Sequence, residues 1–354
     1  MVEFLILKKL IVKNLMSNSL KTILIVGLGS IGKRHLRLLR EISADLNLVV
    51  LRRSESILND KLDADYIVTN LKDALAHKPE AAIICNPSSL HLEISIALAK
   101  EGVNLLIEKP ISNSPKGIKS LLDIANKKNL TILVGYNLRF TDSLKFFKEE
   151  IEKNTLGDLF SVRVEVGQNL ESWRPQTDYR KGSSAQRSLG GGVLLELSHE
   201  IDYLYWIFGP IEWTFGFMDK VSNLEIDVED ISHVLMKFKD SKNYSNLVAN
   251  LTLDFLSQDI RRSCLITGEK GSIQWDGIKS QVNIYRNGQW KCIFDSHNET
   301  DYSYKNELVH FIDCVENNKK PLISASSASA VIDIVESIKI SSKTNKTVKV
   351  IYNH

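Results

Sequence analysis

The stretch Ile23-Leu24-Ile25-Val26-Gly27-Leu28-Gly29-Ser30-Ile31-Gly32-Lys33-Arg34-His35 constrains the fold more than any other part of the chain. Four apolar residues run directly into G-x-G-x-x-G, and a helical pattern, Leu36-Arg37-Leu38-Leu39-Arg40, opens behind it. That is the strand, glycine turn and helix context of a dinucleotide fingerprint. Gly27 is placed to take the tight turn. Gly29 lets a pyrophosphate approach the backbone, and Gly32 lets the helix pack close to the strand. The free N–H groups of Ser30, Ile31 and Gly32, at the positive end of the helix dipole, would face the phosphates.

The same alternation continues to about residue 140. Buried strands are expected at Asn47–Leu51, Tyr66–Val68, Ala81–Cys85, Val103–Ile107 and Thr131–Val134, with helix-length segments between them. This predicts an α/β domain built on a doubly wound parallel Rossmann sheet. Ligands of such sheets sit at the carboxyl ends of the strands. Asn86-Pro87, Glu108-Lys109-Pro110, Asn137 and Arg139 all fall at those ends. The texture changes near residue 141. A helix to about Lys153 precedes an alternating strand from Leu159 to Val166. A polar loop then leads into Gly190-Gly191-Gly192 and a helix. Strand-like runs follow at 211–219, 228–238, 245–255, 259–266, 272–275 and 281–285, with turn signals at Asp276-Gly277 and Asn287-Gly288. This predicts a second α/β domain with a large, mainly antiparallel open sheet, closed by helices at about 303–317 and 325–341.

With 354 residues the chain can bury two cores. The expected division is an N-terminal extension over 1–20, a dinucleotide-binding domain over 21–140 and a second domain over 141–354. Residues 1–15 are too short and too interrupted by Lys8 and Lys9 for a signal peptide or membrane span. They are expected to reflect an upstream start or a short accessory helix. A net charge of +2 makes no case for nucleic acid or a membrane surface as partner. The four cysteines, Cys85, Cys264, Cys292 and Cys314, form no C-x-x-C, which fits a reducing cytoplasm.

Three places are suited to chemistry. The second strand ends in Arg52-Arg53-Ser54, where an NAD-binding unit would carry an acid about 20 residues past the glycines. Arginine and serine suit a 2′-phosphate instead, which favours NADP, while Glu55 keeps NAD open. Lys109 stands at a strand end beside the expected nicotinamide, where it can exchange a proton with a substrate hydroxyl. A cis Lys109-Pro110 bond is compatible with the dipeptide. Read as one helix from the glycines, Leu194, Leu197, Ile201, Leu204 and Phe208 make an apolar stripe. Glu196, His199, Asp202 and Tyr203 share another face, so His199 is a candidate general base with a carboxylate orienting it. No further His/Asp/Glu cluster completes a metal site around it, and none is expected. In the loop Glu171–Lys181, expected to cover the substrate, Trp173 could stack on a sugar while Arg174, Arg180 and Lys181 hold a phosphate or carboxylate. A solvated basic loop is the alternative.

After residue 20 the chain resembles the Gfo/Idh/MocA oxidoreductase family. The resemblance rests on the glycine turn, Asn86-Pro87 with His91, Glu108-Lys109-Pro110, Gly135-Tyr136-Asn137-Leu138-Arg139-Phe140, and the triple-glycine helix with His199 and Asp202. It implies Lys109 and His199 as catalytic. It implies a cofactor held by Gly27, Gly29, Ser30, Ile31, Gly32, Arg52, Arg53, Asn86, Pro87, His91, Glu108, Lys109 and Asn137. Arg139, Trp173, Arg174, Arg180, Glu196 and Asp202 are the candidate substrate contacts. The implied activity is hydride transfer between NAD(P) and a carbon of a sugar, cyclitol or sugar nucleotide. The Glu171–Lys181 loop and the run Leu195-Glu196-Leu197-Ser198-His199-Glu200-Ile201-Asp202-Tyr203 resemble members tied to bacterial surface-sugar biosynthesis. A redox-neutral, NAD-dependent glycoside-cleaving enzyme and a non-catalytic cofactor sensor are the alternatives; keeping both Lys109 and His199 argues against the sensor. The open sheet is expected to form a homodimer or homotetramer. One departure stands out: the family commonly has an aspartate four residues before the histidine, whereas here Glu196 lies three before His199.

Overall fold

The computed structural model describes residues 20–53, 63–296 and 301–353, which form two compact units. The expected extension up to residue 19, and Ser54 and Glu55, lie outside the described residues.

The first unit is built on six parallel strands: β1 (Thr22–Val26), β2 (Asn47–Leu51), β3 (Tyr66–Val68), β4 (Ala81–Ile84), β5 (Asn104–Glu108) and β6 (Ile132–Gly135). Their spatial order is β3-β2-β1-β4-β5-β6. The order in which successive strands are added reverses between β1 and β4, which are themselves parallel, and this switch point is where ligands of doubly wound sheets bind. All five residues of β1 are buried. A central strand in a parallel sheet is covered on both faces, so it reads as a continuous apolar run rather than an alternation. The helices Ser30–Ile42, Leu71–Ala76, His91–Lys100 and Ile118–Lys128 lie between the strands in sequence.

The expected boundary at 140/141 falls at 135/136, and residues 304–328, assigned by sequence to the second domain, belong to the first unit. The Tyr302–Glu316 helix buries Leu308, Phe311 and Ile312, and the Tyr304 ring meets His35 edge-on at 6.0 Å. The Val134 N–H donates to the Ile323 carbonyl at 3.1 Å, which caps the edge of β6. An exposed sheet edge needs such cover, and its source lies far along the chain.

The second unit holds nine strands: β7 (Leu159–Gly167), β8 (Ile211–Asp219), β9 (Ile231–Phe238), β10 (Val248–Asp254), β11 (Arg261–Gly268), β12 (Gly271–Asp276), β13 (Gln281–Arg286), β14 (Gln289–Asp295) and β15 (Val348–Lys349). Their order is β14-β13-β12-β11-β7-β10-β9-β8-β15. Only β7 and β10 pair in parallel. One face buries Val164, Leu251, Val234, Cys264, Ile273 and Val282. The opposite face exposes Phe215 and Phe217 of β8 and Leu235 of β9. Asn287 and Gly288 both take positive φ and turn β13 into β14, a strand that the sequence pattern misses because four of its seven residues in a row are exposed.

Candidate active site

The three glycines of the first turn do three different things. Gly27 has φ +89°, and a Cβ there would press on the backbone of Cys85 and Asn86. At Gly32 a Cβ would collide with the Gly27 carbonyl oxygen, so helix and turn touch backbone to backbone. Nothing lies within 4 Å of a Cβ built on Gly29. That open position, in front of the first N–H groups of the Ser30–Ile42 helix, is the cradle a pyrophosphate requires. The residues present therefore fit a dinucleotide. Arg52 and Arg53 follow directly from the end of β2, with the Arg52 N–H bonded to the Val68 carbonyl at 3.0 Å.

Two loops at the carboxyl ends of β4 and β5 are tied together by His91. Its ring is buried, with Nδ1 2.8 Å from the Pro110 carbonyl oxygen and Nε2 2.8 Å from that of Asn86. Burial pushes the His91 pKa down, while the two carbonyl acceptors pull it back up. His91 is thus a brace beneath the expected cofactor loops, not an exposed cofactor contact. The Asn86 Oδ1 is buried and lacks a hydrogen-bond partner among the described residues, an orphan that a ligand donor would satisfy. Lys109-Pro110 is cis, and Lys109 is partly exposed. Glu108, expected to touch the cofactor, instead turns its carboxylate inward to His35 Nε2 at 2.7 Å and accepts from the Lys109 N–H at 3.3 Å.

In the second unit the triple glycine is held by its surroundings. Gly192 has φ +111°, and a Cβ would run into the Glu229 carboxylate. The expected single helix is broken here into Val193–Glu196 and His199–Phe208. The ladder starts with i−4 bonds, from Glu196 N–H to Gly192 and Leu197 N–H to Val193. It tightens to i−3 at Ser198 and Glu200, then returns to i−4 at Asp202. Glu196 and His199 therefore do not share a continuous helical face, and the shortened spacing between them coincides with this break. His199 opens the second helix, and its ring stands edge-on to Tyr136 at 5.5 Å. The Tyr136 hydroxyl donates to Ser198 Oγ at 3.3 Å, and burial raises the phenol pKa well above its ordinary value.

Asp202 and Arg139, expected to meet substrate, meet each other. The guanidinium donates twice, Nε to Oδ2 at 2.8 Å and Nη2 to Oδ1 at 2.6 Å, in a pair almost wholly buried. Burial raises the Asp202 pKa, and Arg139 opposes that rise. Asn137 donates to Ser303 Oγ at 2.8 Å. The apolar stripe from Leu194 to Phe208 is buried as expected. The face carrying Asp202 and Tyr203 is buried too, so this helix has no solvated side there.

The Glu171–Lys181 loop is less available than its composition implies. The Trp173 indole N–H donates to the Gln168 carbonyl at 3.2 Å, and the ring stands edge-on to Phe255 at 5.2 Å. Arg180 is paired with Asp178 and Glu225. Arg174 is exposed. The sequence reading missed His35, Glu307 and the 2.8 Å pair between Arg262 and the fully buried Glu200. A signal existed for Glu307, because it shares the helical spacing of the apolar residues Tyr304, Leu308 and Phe311.

Breaking the Arg139–Asp202 pair from one side leaves a buried charge uncompensated. Asp202→Asn is expected to lower the unfolding free energy of the second unit by about 3–5 kcal/mol, read by urea titration. A change within experimental error would show that the pair does not hold the helix.

Two family descriptions match the chain. "Oxidoreductase family, NAD-binding Rossmann fold" covers residues 21–136, and "Oxidoreductase family, C-terminal alpha/beta domain" covers residues 148–350. Among curated relatives, myo-inositol 2-dehydrogenase of Thermotoga maritima is 24% identical over 339 residues, 92% of this chain and 97% of that one. The 2,7-anhydro-N-acetylneuraminate hydratase of Mediterraneibacter gnavus is 25% identical over 258 residues, 71% of this chain and 66% of that one. Among solved structures, levoglucosan dehydrogenase in complex with NADH superimposes with a TM-score of 0.81 at 18% identity, covering 94% of this chain and 100% of that one. The WlbA dehydrogenase from Bordetella pertussis, in complex with NADH and UDP-GlcNAcA, gives 0.78 at 20% identity, covering 94% and 99%. The chain belongs to the Gfo/Idh/MocA oxidoreductase family and carries its NAD-binding Rossmann fold.

Proposed function

We propose that this chain transfers a hydride between a nicotinamide dinucleotide and a hydroxyl-bearing carbon of a sugar, cyclitol or sugar nucleotide. The observation that carries the reading is the open Gly29 position on a helix N-terminus, in a chain that also keeps Lys109 and His199. Gly27, Gly29 and Gly32, with the N–H groups of Ser30 and Ile31, would hold the pyrophosphate. Arg52 and Arg53 would hold a 2′-phosphate, which favours NADP; the NADH in the solved relatives supports NAD. Asn86 offers an unpaired acceptor. A nicotinamide bound there supplies the hydride acceptor or donor. Lys109 takes the proton of a substrate hydroxyl during oxidation and returns it during reduction. His199, with its ring steered by Tyr136, is the second proton carrier.

The names of the relatives support a polyol or sugar substrate, and the UDP-GlcNAcA complex supports a sugar nucleotide and a place in surface-sugar biosynthesis. A redox-neutral reaction is the second reading, favoured by the relative named as a hydratase. The four cysteines are free thiols, which suits the cytoplasm. No helix among the described residues is long and apolar enough to cross a membrane. The exposed face carrying Phe215, Phe217 and Leu235 is assigned to self-association as a homodimer or homotetramer. Sedimentation of Phe217→Lys should then show smaller particles than wild type, and an unchanged particle would remove this face from the assembly.

Lys109→Ala tests the chemistry. It is expected to lower kcat by about 100-fold or more on whichever of myo-inositol, levoglucosan or UDP-GlcNAcA the wild type converts, with cofactor affinity nearly unchanged. Unchanged turnover would remove Lys109 from proton transfer. Conversion without net formation of reduced cofactor would favour the redox-neutral reading.

A further inference from the structure

The Rossmann unit buries a second titratable cluster that the proposed chemistry does not use. His35, Glu108 and Glu307 bring one nitrogen or oxygen each to within 4.8 Å of one another, and all three are buried. They arrive from the Ser30–Ile42 helix, the end of β5 and the Tyr302–Glu316 helix. His35 uses one ring nitrogen, Nε2, which lies 2.7 Å from Glu108 Oε1, while its Nδ1 is buried without a hydrogen-bond partner among the described residues. Glu108 is satisfied, since its other oxygen accepts from the Lys109 N–H. Glu307 is not. It is fully buried, and neither carboxyl oxygen has a hydrogen-bond partner among the described residues.

An isolated carboxylate buried in this way is very costly. The titratable groups near it do not offset that cost. Glu108 faces it from β5, Cys85 from the end of β4, His35 from the first helix and Tyr304 from its own helix. The nearby Arg34 guanidinium lies over the Tyr304 ring at 4.7 Å. Either a cation or a proton must supply the missing charge. Two ligands of one tetrahedral zinc ion sit about 3.3 Å apart, given bonds near 2.0–2.1 Å. His35 and Glu108 are closer than that and are already spent on each other. A proton needs no rearrangement.

We infer that Glu307 is a neutral carboxylic acid in the folded protein, its proton held because no cation among the described residues faces it there. A neutral Glu307 adds no negative charge beside the Glu108 carboxyl group that accepts from the Lys109 N–H. Burial and the neighbouring Glu108 both push the Glu307 carboxyl well above its ordinary range, in keeping with this assignment. Glu307 is a positioning residue that acts on Lys109 through Glu108. That last step rests on the proposed role of Lys109; the protonation does not.

In the unfolded chain a glutamate ionises at about pH 4.3, whereas the folded chain keeps the proton to higher pH. The unfolded state therefore binds fewer protons, and stability falls as pH rises above that value, until the folded carboxyl itself ionises. Glu307→Gln keeps the shape and neutrality of the acid and removes this dependence. Urea unfolding of both proteins from pH 5 to 8 should show the ratio of unfolding constants, wild type over variant, rising about tenfold per pH unit up to the folded-state ionisation. Infrared spectra at pH 7 should show a protonated-carboxyl carbonyl band in wild type that Glu307→Gln lacks. Glu307→Ala should shift the pH profile of kcat more than Glu307→Gln does. A pH-independent ratio, identical carboxyl bands, a Gln variant that does not fold, or one equivalent of divalent metal lost with the substitution would overturn the protonation. Equal profiles for the two variants would overturn the positioning role. A failure of the Lys109 reading would appear in Lys109→Ala and leave the unfolding and infrared results as they are.

Discussion

The architecture of the first unit depends on how closely one helix approaches one turn. A side chain at Gly32 would strike the Gly27 carbonyl, and one at Gly27 would press on the backbone where β4 ends. Turn, helix and the neighbouring strand end therefore interlock without side-chain volume between them. The first N–H groups of the helix have no acceptor within it, and the only glycine of the three with free space in front of it is Gly29. The same close packing at the switch point thus leaves an anion site at its mouth.

Buried charges supply the rest of the geometry. His35 and Glu108 anchor the strand end that carries Lys109. In the second unit, Asp202 is gripped by Arg139 and Glu200 by Arg262, and Tyr203 stands edge-on to Trp275 at 5.5 Å. Pairs of this kind contribute little net stability, because desolvation offsets their attraction. Losing one partner is costly, so each pair restricts which neighbours its helix can have. His199 lies immediately before Glu200 and three residues before Asp202, and its position is set by groups that do no chemistry themselves.

The sequence was most legible where structure is local. The glycine spacing, the apolar strands of the parallel sheet and most of the antiparallel strands follow from periods of two or 3.6 residues and from turn residues. The strand ends carrying Asn86, Lys109 and Asn137 follow from the same pattern. What it did not show depends on distant partners. Arg139 and Asp202 read as substrate contacts because nothing local says that 63 residues of chain bring them together. The inward turn of the Glu108 carboxylate depends on His35, 73 residues away in the chain, which no local pattern registers. The return of residues 304–328 to the first unit is likewise invisible to periodicity. The break after Glu196 had a local trace, in the spacing between Glu196 and His199, but not one that predicts a bend.

Hydride transfer by this chain requires dinucleotide binding at Gly29. That position has open space and an ordinary negative φ of −72°, so a side chain can be added there without straining the fold. The most direct measurement is a titration of wild type and Gly29→Val with NADPH and NADH, alongside their melting temperatures. Wild type should bind both, NADPH the more tightly, and Gly29→Val should melt as wild type does while losing at least about tenfold in affinity, equivalent to about 1.4 kcal/mol. Equal affinity in the two proteins, or no binding of either nucleotide by wild type, would contradict it.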